Sequence, residues 1–216
     1  MLGLKFSRRR PTAPPEPDLL ATEVGRQYAA LARQVVTWCA TNGGVKRLGV
    51  TGPRDGIGVS TAARNLAILL AQGGTGDVLL IDGNLEEPQL SAKSYADDRD
   101  GLAEALVERT DATELTMPTN VRRLHLLPAG RRPLAAGYLL ERFDDVLAGL
   151  LGHYRYVIVD LPPATEMTPC MAMAPMLDGV LFVCDRDEVS RPETLRAKRQ
   201  LEQTGSRLIG VILNGE

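Results

Sequence analysis

Lysine is scarce in this chain. Of 25 basic residues only Lys5, Lys46, Lys93 and Lys198 are lysines, and the rest are arginine. Histidine is scarcer still, at two residues, and His125 and His153 stand apart from each other and from any cysteine pair, which argues against a zinc site. The three cysteines, Cys39, Cys170 and Cys184, have no metal-ligand spacing and no disulfide framework, so they read as small buried apolar residues of a protein from a reducing compartment. No apolar run approaches the roughly 18 residues of a membrane span. The opening segment "MLGLKFSRRRP" lacks the apolar core of a signal peptide. Net charge is −2 over 216 residues, with no global pull toward nucleic acid or anionic lipid. The hydrophobic share of 44% is that of an ordinary globular chain, and the length suits one domain with an arm.

The composition changes sharply after the first residues. Residues 1–17 carry Lys5 and Arg8 to Arg10, then "PTAPPEP", and are expected to form a flexible, extended basic and proline-rich arm. Residues 18–216 read as one folded domain. "DLLATEVGRQYAALARQVVTWCA" has helical spacing, with Asp18 a candidate N-cap. Short apolar stretches then alternate with helical ones: "RLGVT", "DVLLID", "RLHLLPAG", "RYVIVDLPP", "DGVLFVCD" and "RLIGVILN" as strands, with Thr61–Gln72, "GLAEALVER", "YLLERFDDVLAGLLGHY" and "RPETLRAKRQLEQTG" as helices. That alternation predicts a three-layer α/β/α domain with a mostly parallel central sheet.

Ligands of such sheets sit at the carboxyl ends of the strands. Three features fall there: the glycine loop in "GVTGPRDGIGVSTAARNLA", Asp82 in "LLIDGN" and Asp160 in "VIVDLPP". A glycine-rich turn between strand and helix lets backbone N–H groups face phosphate, with the helix N-terminus behind them. Arg54, Gly56, Gly58, Val59, Ser60 and Thr61 are therefore the candidate nucleotide contacts.

Taken in order, "GPRDGIGVSTAARNLA", "VLLIDGNLEEPQL", "LHLLPAG", "YRYVIVDLPPATEMT", "LDGVLFV" and "SRLIGVILNGE" resemble the cytoplasmic kinase domain of bacterial tyrosine kinases (BY-kinases) of capsule and exopolysaccharide assembly, within the MinD/ParA-like P-loop class. The resemblance runs from about Leu48 to Glu216. It implies a P-loop NTPase fold, binding of ATP or ADP with Mg, and catalytic roles for Asp82 and Asp160. It further implies Mg ligands at Ser60, Asp82, Asn84 and Asp160, and a homo-oligomer. It also implies a cytoplasmic location at the inner face of the membrane, reached through a membrane polysaccharide co-polymerase.

The chain departs from the family pattern at chosen points. Val59 stands at the phosphate-binding lysine, between Gly58 and Ser60. The second motif, Asp-x-Asp-x-Arg in the family, reads Asp82, Gly83, Asn84, Leu85, Glu86, so one charge is lost and one reversed. Leu161 follows Asp160 where threonine is usual, and no tyrosine lies in the last 60 residues. The ring-forming helix pattern of the family is incomplete around Glu23 to Arg33. Arg54, five residues before Val59, is a candidate replacement cation. These departures lead to the expectation of a degenerate, pseudokinase-type regulator of exopolysaccharide assembly, inactive or weak as an enzyme. Two alternatives stand beside it. One is an active Mg-ATP-dependent tyrosine autokinase or ATPase with a lysine-less P-loop. The other is a MinD/ParA-like positioning ATPase, for which neither an amphipathic membrane helix nor a basic nucleic-acid face is evident.

Overall fold

The computed structural model describes residues 19–44, 46–74, 76–94, 96, 98–132, 136–165, 169–188 and 191–215. The arm at 1–17 and the candidate cap Asp18 lie outside the described residues. In chain order the elements are α1 (Glu23–Thr41), β1 (Arg47–Thr51), α2 (Val59–Gln72), β2 (Val78–Asp82), α3 (Gln89–Lys93), α4 (Leu102–Glu108), α5 (Ala112–Leu115), β3 (Met117–Pro118), β4 (Leu124–Leu127), α6 (Ala136–Leu150), β5 (Tyr156–Asp160), α7 (Pro169–Met173), β6 (Gly179–Asp185), α8 (Pro192–Gln203) and β7 (Leu208–Asn214).

The strands form one seven-stranded sheet in the order β3-β4-β2-β5-β1-β6-β7. Every pairing is parallel except the short β3–β4 edge, which is antiparallel. The expected architecture is therefore present. Alternation along each strand divides the core in two. Leu79, Ile81, Val157, Val159, Val180 and Phe182 face the cluster built with α4 to α8. Val78, Leu80, Leu48, Val50, Ile158, Leu181 and Val183 face the cluster built with α1, α2 and α3. Both sides are covered, so the strands read as nearly continuous apolar runs, as buried parallel strands must.

Local chemistry sets the element ends. Thr22, not Asp18, caps α1, because its Oγ1 accepts from the Gly25 N–H at 2.9 Å. At the far end the Asn42 side chain donates to Trp38 O at 2.8 Å, and the Arg207 guanidinium lies 4.9 Å from the Trp38 ring centroid. These contacts hold the end of α1 to the start of β7. In α2 alanines and leucines bury residues 62, 63 and 65 through 71, because α1 covers its outer side while the sheet covers the inner one.

The exit from β2 is the tightest point near the sheet's functional edge. Gly83 N donates to Asp160 O at 2.9 Å, and a Cβ on Gly83 would stand 2.7 Å from that same carbonyl oxygen and 3.0 Å from Val159 Cγ1. Both obstacles belong to the central strand, so the strain cannot be relieved by a swinging side chain. Gly83→Ala is expected to destabilise the protein by about 1–3 kcal/mol, the usual cost of overpacking. A lowered urea midpoint at unchanged m-value is the measurement that checks it.

Candidate functional site

The site forms where β1, β2 and β5 end. The loop after β1 turns through Gly56 at φ +77° and Gly58 at φ +95°, left-handed conformations that glycine adopts without a Cβ penalty. Gly58 is the N-cap of α2 and offers no side-chain cap, so the N–H groups of the first turn remain directed at the cavity in front of them. The loop is pinned from behind. Asn214 Nδ2, at the end of β7, donates to Ile57 O at 2.7 Å, and a Cβ on Gly58 would meet that same nitrogen at 2.5 Å. From the β5 side, Ala164 N donates to Gly52 O at 2.8 Å and Thr165 Oγ1 to Pro53 O at 3.0 Å.

A cavity of about 410 Å³ opens over this loop. It is lined by Arg54, Asp55, Gly56, Gly58, Val59, Ser60, Thr61, Asn84, Glu87, Gln89, Lys93, Leu161 and Pro163. Its size lies within the range that holds small-molecule ligands. The six candidate nucleotide contacts, Arg54, Gly56, Gly58, Val59, Ser60 and Thr61, all line it. Val59 and Leu161 do not fill it. Val59 packs on the α1–α2 side of the core, near Gly52, and Leu161 is 2% exposed within the opposite core cluster.

Asp82 and Asp160 are direct neighbours in the β2–β5 register and are both buried. Asp82 Oδ2 accepts from Ser91 N and Ser91 Oγ, each at 2.7 Å, and Ser91 Oγ in turn accepts from Ala129 N at 3.0 Å. Asp82 Oδ1 and both oxygens of Asp160 have no hydrogen-bond partner. Burial pushes Asp82 above the usual carboxylate range, against the Ser91 hydrogen bonds. Burial first, and the Asp82 charge after it, push Asp160 up to about 8, while Ser60 and Lys93 pull the other way. The Ser60 hydroxyl is near enough to ease the Asp160 charge, yet it completes no hydrogen bond with good geometry.

Orphaned carboxylate oxygens in a buried pair need a proton or a cation. No cluster of three or more His, Cys, Asp or Glu side chains stands ready as a cage among the described residues. Two carboxylates, one hydroxyl and room for phosphate and water suit Mg, which uses few protein ligands and completes its shell from substrate. Asp82, Asp160 and Ser60 thus fit the ion. Asn84 is buried beside them, but its Oδ1 accepts from Glu87 N at 3.3 Å and so closes a local turn. When bound, Mg would neutralise phosphate charge and the pair's own charge together.

The sequence reading overlooked Lys93, Glu87, Gln89 and Pro163, which line the cavity, and Ser91, which holds Asp82. Glu86, the reversed charge, is exposed and is not part of the lining, whereas Glu87 is. Spacing offered no signal for Lys93, since it reaches the cavity from α3 on the far side of the loop.

This geometry is that of a P-loop NTPase of the ParA/MinD-like class. The model of the family "cellulose biosynthesis protein BcsQ" matches residues 45–209. "Tyrosine-protein kinase CpsD" of Streptococcus agalactiae is 33% identical over 172 residues, spanning 78% of this chain and 75% of that protein. "Tyrosine-protein kinase YwqD" of Bacillus subtilis strain 168 is 27% identical over 211 residues, spanning 97% and 87%. The kinase domain of the Escherichia coli tyrosine kinase ETK superposes with a TM-score of 0.84 at 23% identity, covering 96% of this chain and 83% of that one, a likeness of fold. The chain belongs to the ParA/MinD-like P-loop NTPases and is closely related to the cytoplasmic domains of bacterial tyrosine kinases.

The raised Asp160 carboxyl has a consequence for stability. The folded protein keeps this proton above pH 4, where an unfolded aspartate has lost it, so folding stability falls as pH rises toward about 8. Asp160→Asn removes the charge at constant shape. Without added metal it is expected to flatten the decline of melting temperature between pH 5 and pH 8. It should also raise the melting temperature at pH 8, by roughly 2–4 °C per kcal/mol relieved. A variant whose melting curve tracks the wild type at every pH would contradict this.

Proposed function

We propose that this chain is a Mg-nucleotide-binding domain acting in exopolysaccharide assembly, and that it turns over ATP through a P-loop that lacks its lysine. The observation that carries the reading is the open cavity over the glycine loop, whose lining residues Asn84 and Leu161 flank in sequence the buried Asp82–Asp160 pair, where three carboxylate oxygens have no hydrogen-bond partner. A site kept only as scaffold would have no reason to hold two buried carboxylates with three unpartnered oxygens at such cost, since apolar replacements of buried charged groups are commonly neutral or stabilising. Kinship with tyrosine kinases supports phosphoryl transfer as the chemistry. Loop and helix-terminus N–H groups would bind the phosphates, and Ser60, Asp82 and Asp160 would hold Mg.

The transferred group needs an acceptor. Tyr154 and Tyr156 are buried and Tyr28 is half-buried, so none of the described tyrosines is fully presented for transfer. We place the acceptor on another protein, with hydrolysis when none is present. No helix among the described residues is long and apolar enough to cross a membrane. The proposed partner, on the strength of the kinship with CpsD, is a membrane-embedded polysaccharide co-polymerase, with this chain at its inner face.

Titration of Mg-ATP and Mg-ADP by calorimetry, with melting temperature followed in parallel, tests the reading. At a hundredfold excess over Kd, binding should stabilise the fold by about 2.7 kcal/mol. Asp82→Asn with Asp160→Asn should abolish the Mg dependence, and phosphate release should be slow but Mg-dependent in the wild type. Binding without any turnover would favour the pseudokinase-type regulator instead. Absence of both heat and stabilisation at millimolar nucleotide would overturn nucleotide binding altogether.

A further inference from the structure

We propose that Lys93 supplies the phosphate-binding charge that the P-loop lost at Val59, acting on the β- and γ-phosphates from the opposite wall of the cavity. This rests on the reading of the cavity as a Mg-nucleotide site. Lys93 and Arg54 are the two cationic side chains in the lining, and they arise from different elements. Arg54 sits on the loop itself, where its Nη1 donates to Asp55 O at 3.3 Å. Lys93 ends α3 and lines the same cavity as the loop residues Gly56, Gly58 and Ser60, so its ammonium is available to phosphate held by the loop.

The position of Lys93 is not left to a mobile loop. Ser91, two residues earlier, is fixed by two hydrogen bonds to Asp82 and one from Ala129. Leu90 is buried in the core cluster beneath α2. The backbone carrying Lys93 is thus clamped to the carboxylate pair, while the side chain itself is exposed and long enough to follow a ligand. The chemistry asked of it is that of a point charge on phosphate oxygens, which an ammonium performs from any wall of the cavity. Glu87 shares the lining and would repel phosphate, so a cation near it also balances the cavity's charge.

The test is calorimetric titration of Mg-ATP and Mg-ADP into the wild type, Lys93→Ala, Lys93→Arg, and Lys93→Ala combined with Val59→Lys. Loss of one charge-assisted contact should weaken Mg-ATP binding about 10- to 100-fold in Lys93→Ala. The loss should be smaller for Mg-ADP, which lacks the γ-phosphate. Lys93→Arg should stay within a few-fold of the wild type. Val59→Lys should recover the affinity in the Lys93→Ala background, since the same charge then stands at the loop. Unligated melting temperatures should agree among the wild type, Lys93→Ala and Lys93→Arg, because Lys93 is exposed. Equal Mg-ATP affinity in wild type and Lys93→Ala would overturn the role of Lys93 while leaving nucleotide binding intact. Failure of the wild type to bind would overturn both.

Discussion

Two carboxylates buried side by side are the constraint around which this structure is arranged. Asp82 and Asp160 end adjacent parallel strands in direct register, so the fold cannot separate them without breaking the centre of its sheet. Their surroundings serve one of the four oxygens generously and leave three with no partner. Charge in that state costs several kcal/mol per ion. The remedy in the isolated chain is a proton, which is why Asp160 holds one to about pH 8. The functional remedy is a cation shared between the pair, and the geometry that makes the pair costly is the same geometry that would make it a Mg site. Gly83 lets the strands meet this closely, and Ser91 fixes which oxygen of Asp82 is left without a hydrogen-bond partner.

The phosphate side is built on backbone rather than side chains. Left-handed glycines, an uncapped helix N-terminus and a carbonyl tied down by Asn214 define the loop, and none of these depends on residue 59. A lysine there would add a charge to an anion site that already exists. Valine instead leans into the core beside Gly52, which leaves the cavity open. Loss of the lysine is therefore a change in charge and not in shape. The charged side chains of the cavity lining are Arg54 and Lys93 against Asp55 and Glu87.

The major strands were legible because each is a short apolar run bounded by turn residues, and the doubly covered sheet followed from their alternation with helices. The glycine loop, Asp82 and Asp160 were legible for a related reason: strand ends on one rim must converge. Short elements were not. Helical periodicity cannot declare itself over the five residues of α3 or the four of α5, and the two-residue β3 carries no alternation at all. The same limit hid Ser91 and Lys93. Ser91 matters through its hydrogen bonds to Asp82 and Lys93 through its place in the cavity lining, neither of which spacing encodes. Asn84 read as a metal ligand by its place in the motif, whereas its oxygen serves the turn that leads to α3. Glu86 read as a repulsive charge, yet the turn leaves it exposed and brings Glu87 to the cavity.

On the proposed reading, the departures from the family motif are compensated from α3. Asn84 closes the turn, that turn leads into α3, and α3 carries both the serine that holds Asp82 and a lysine that lines the cavity. A lone substitution at Val59 would leave phosphate binding short of a charge. With Lys93 in its proposed role, the cation is supplied from α3 instead of from the loop. Transfer chemistry depends on where positive charge sits relative to the developing charge on phosphate, not on which element delivers it. In the proposed role of Lys93, the compensating residue is distant from the loop in the sequence yet lines the same cavity, which is why the motif alone does not reveal it.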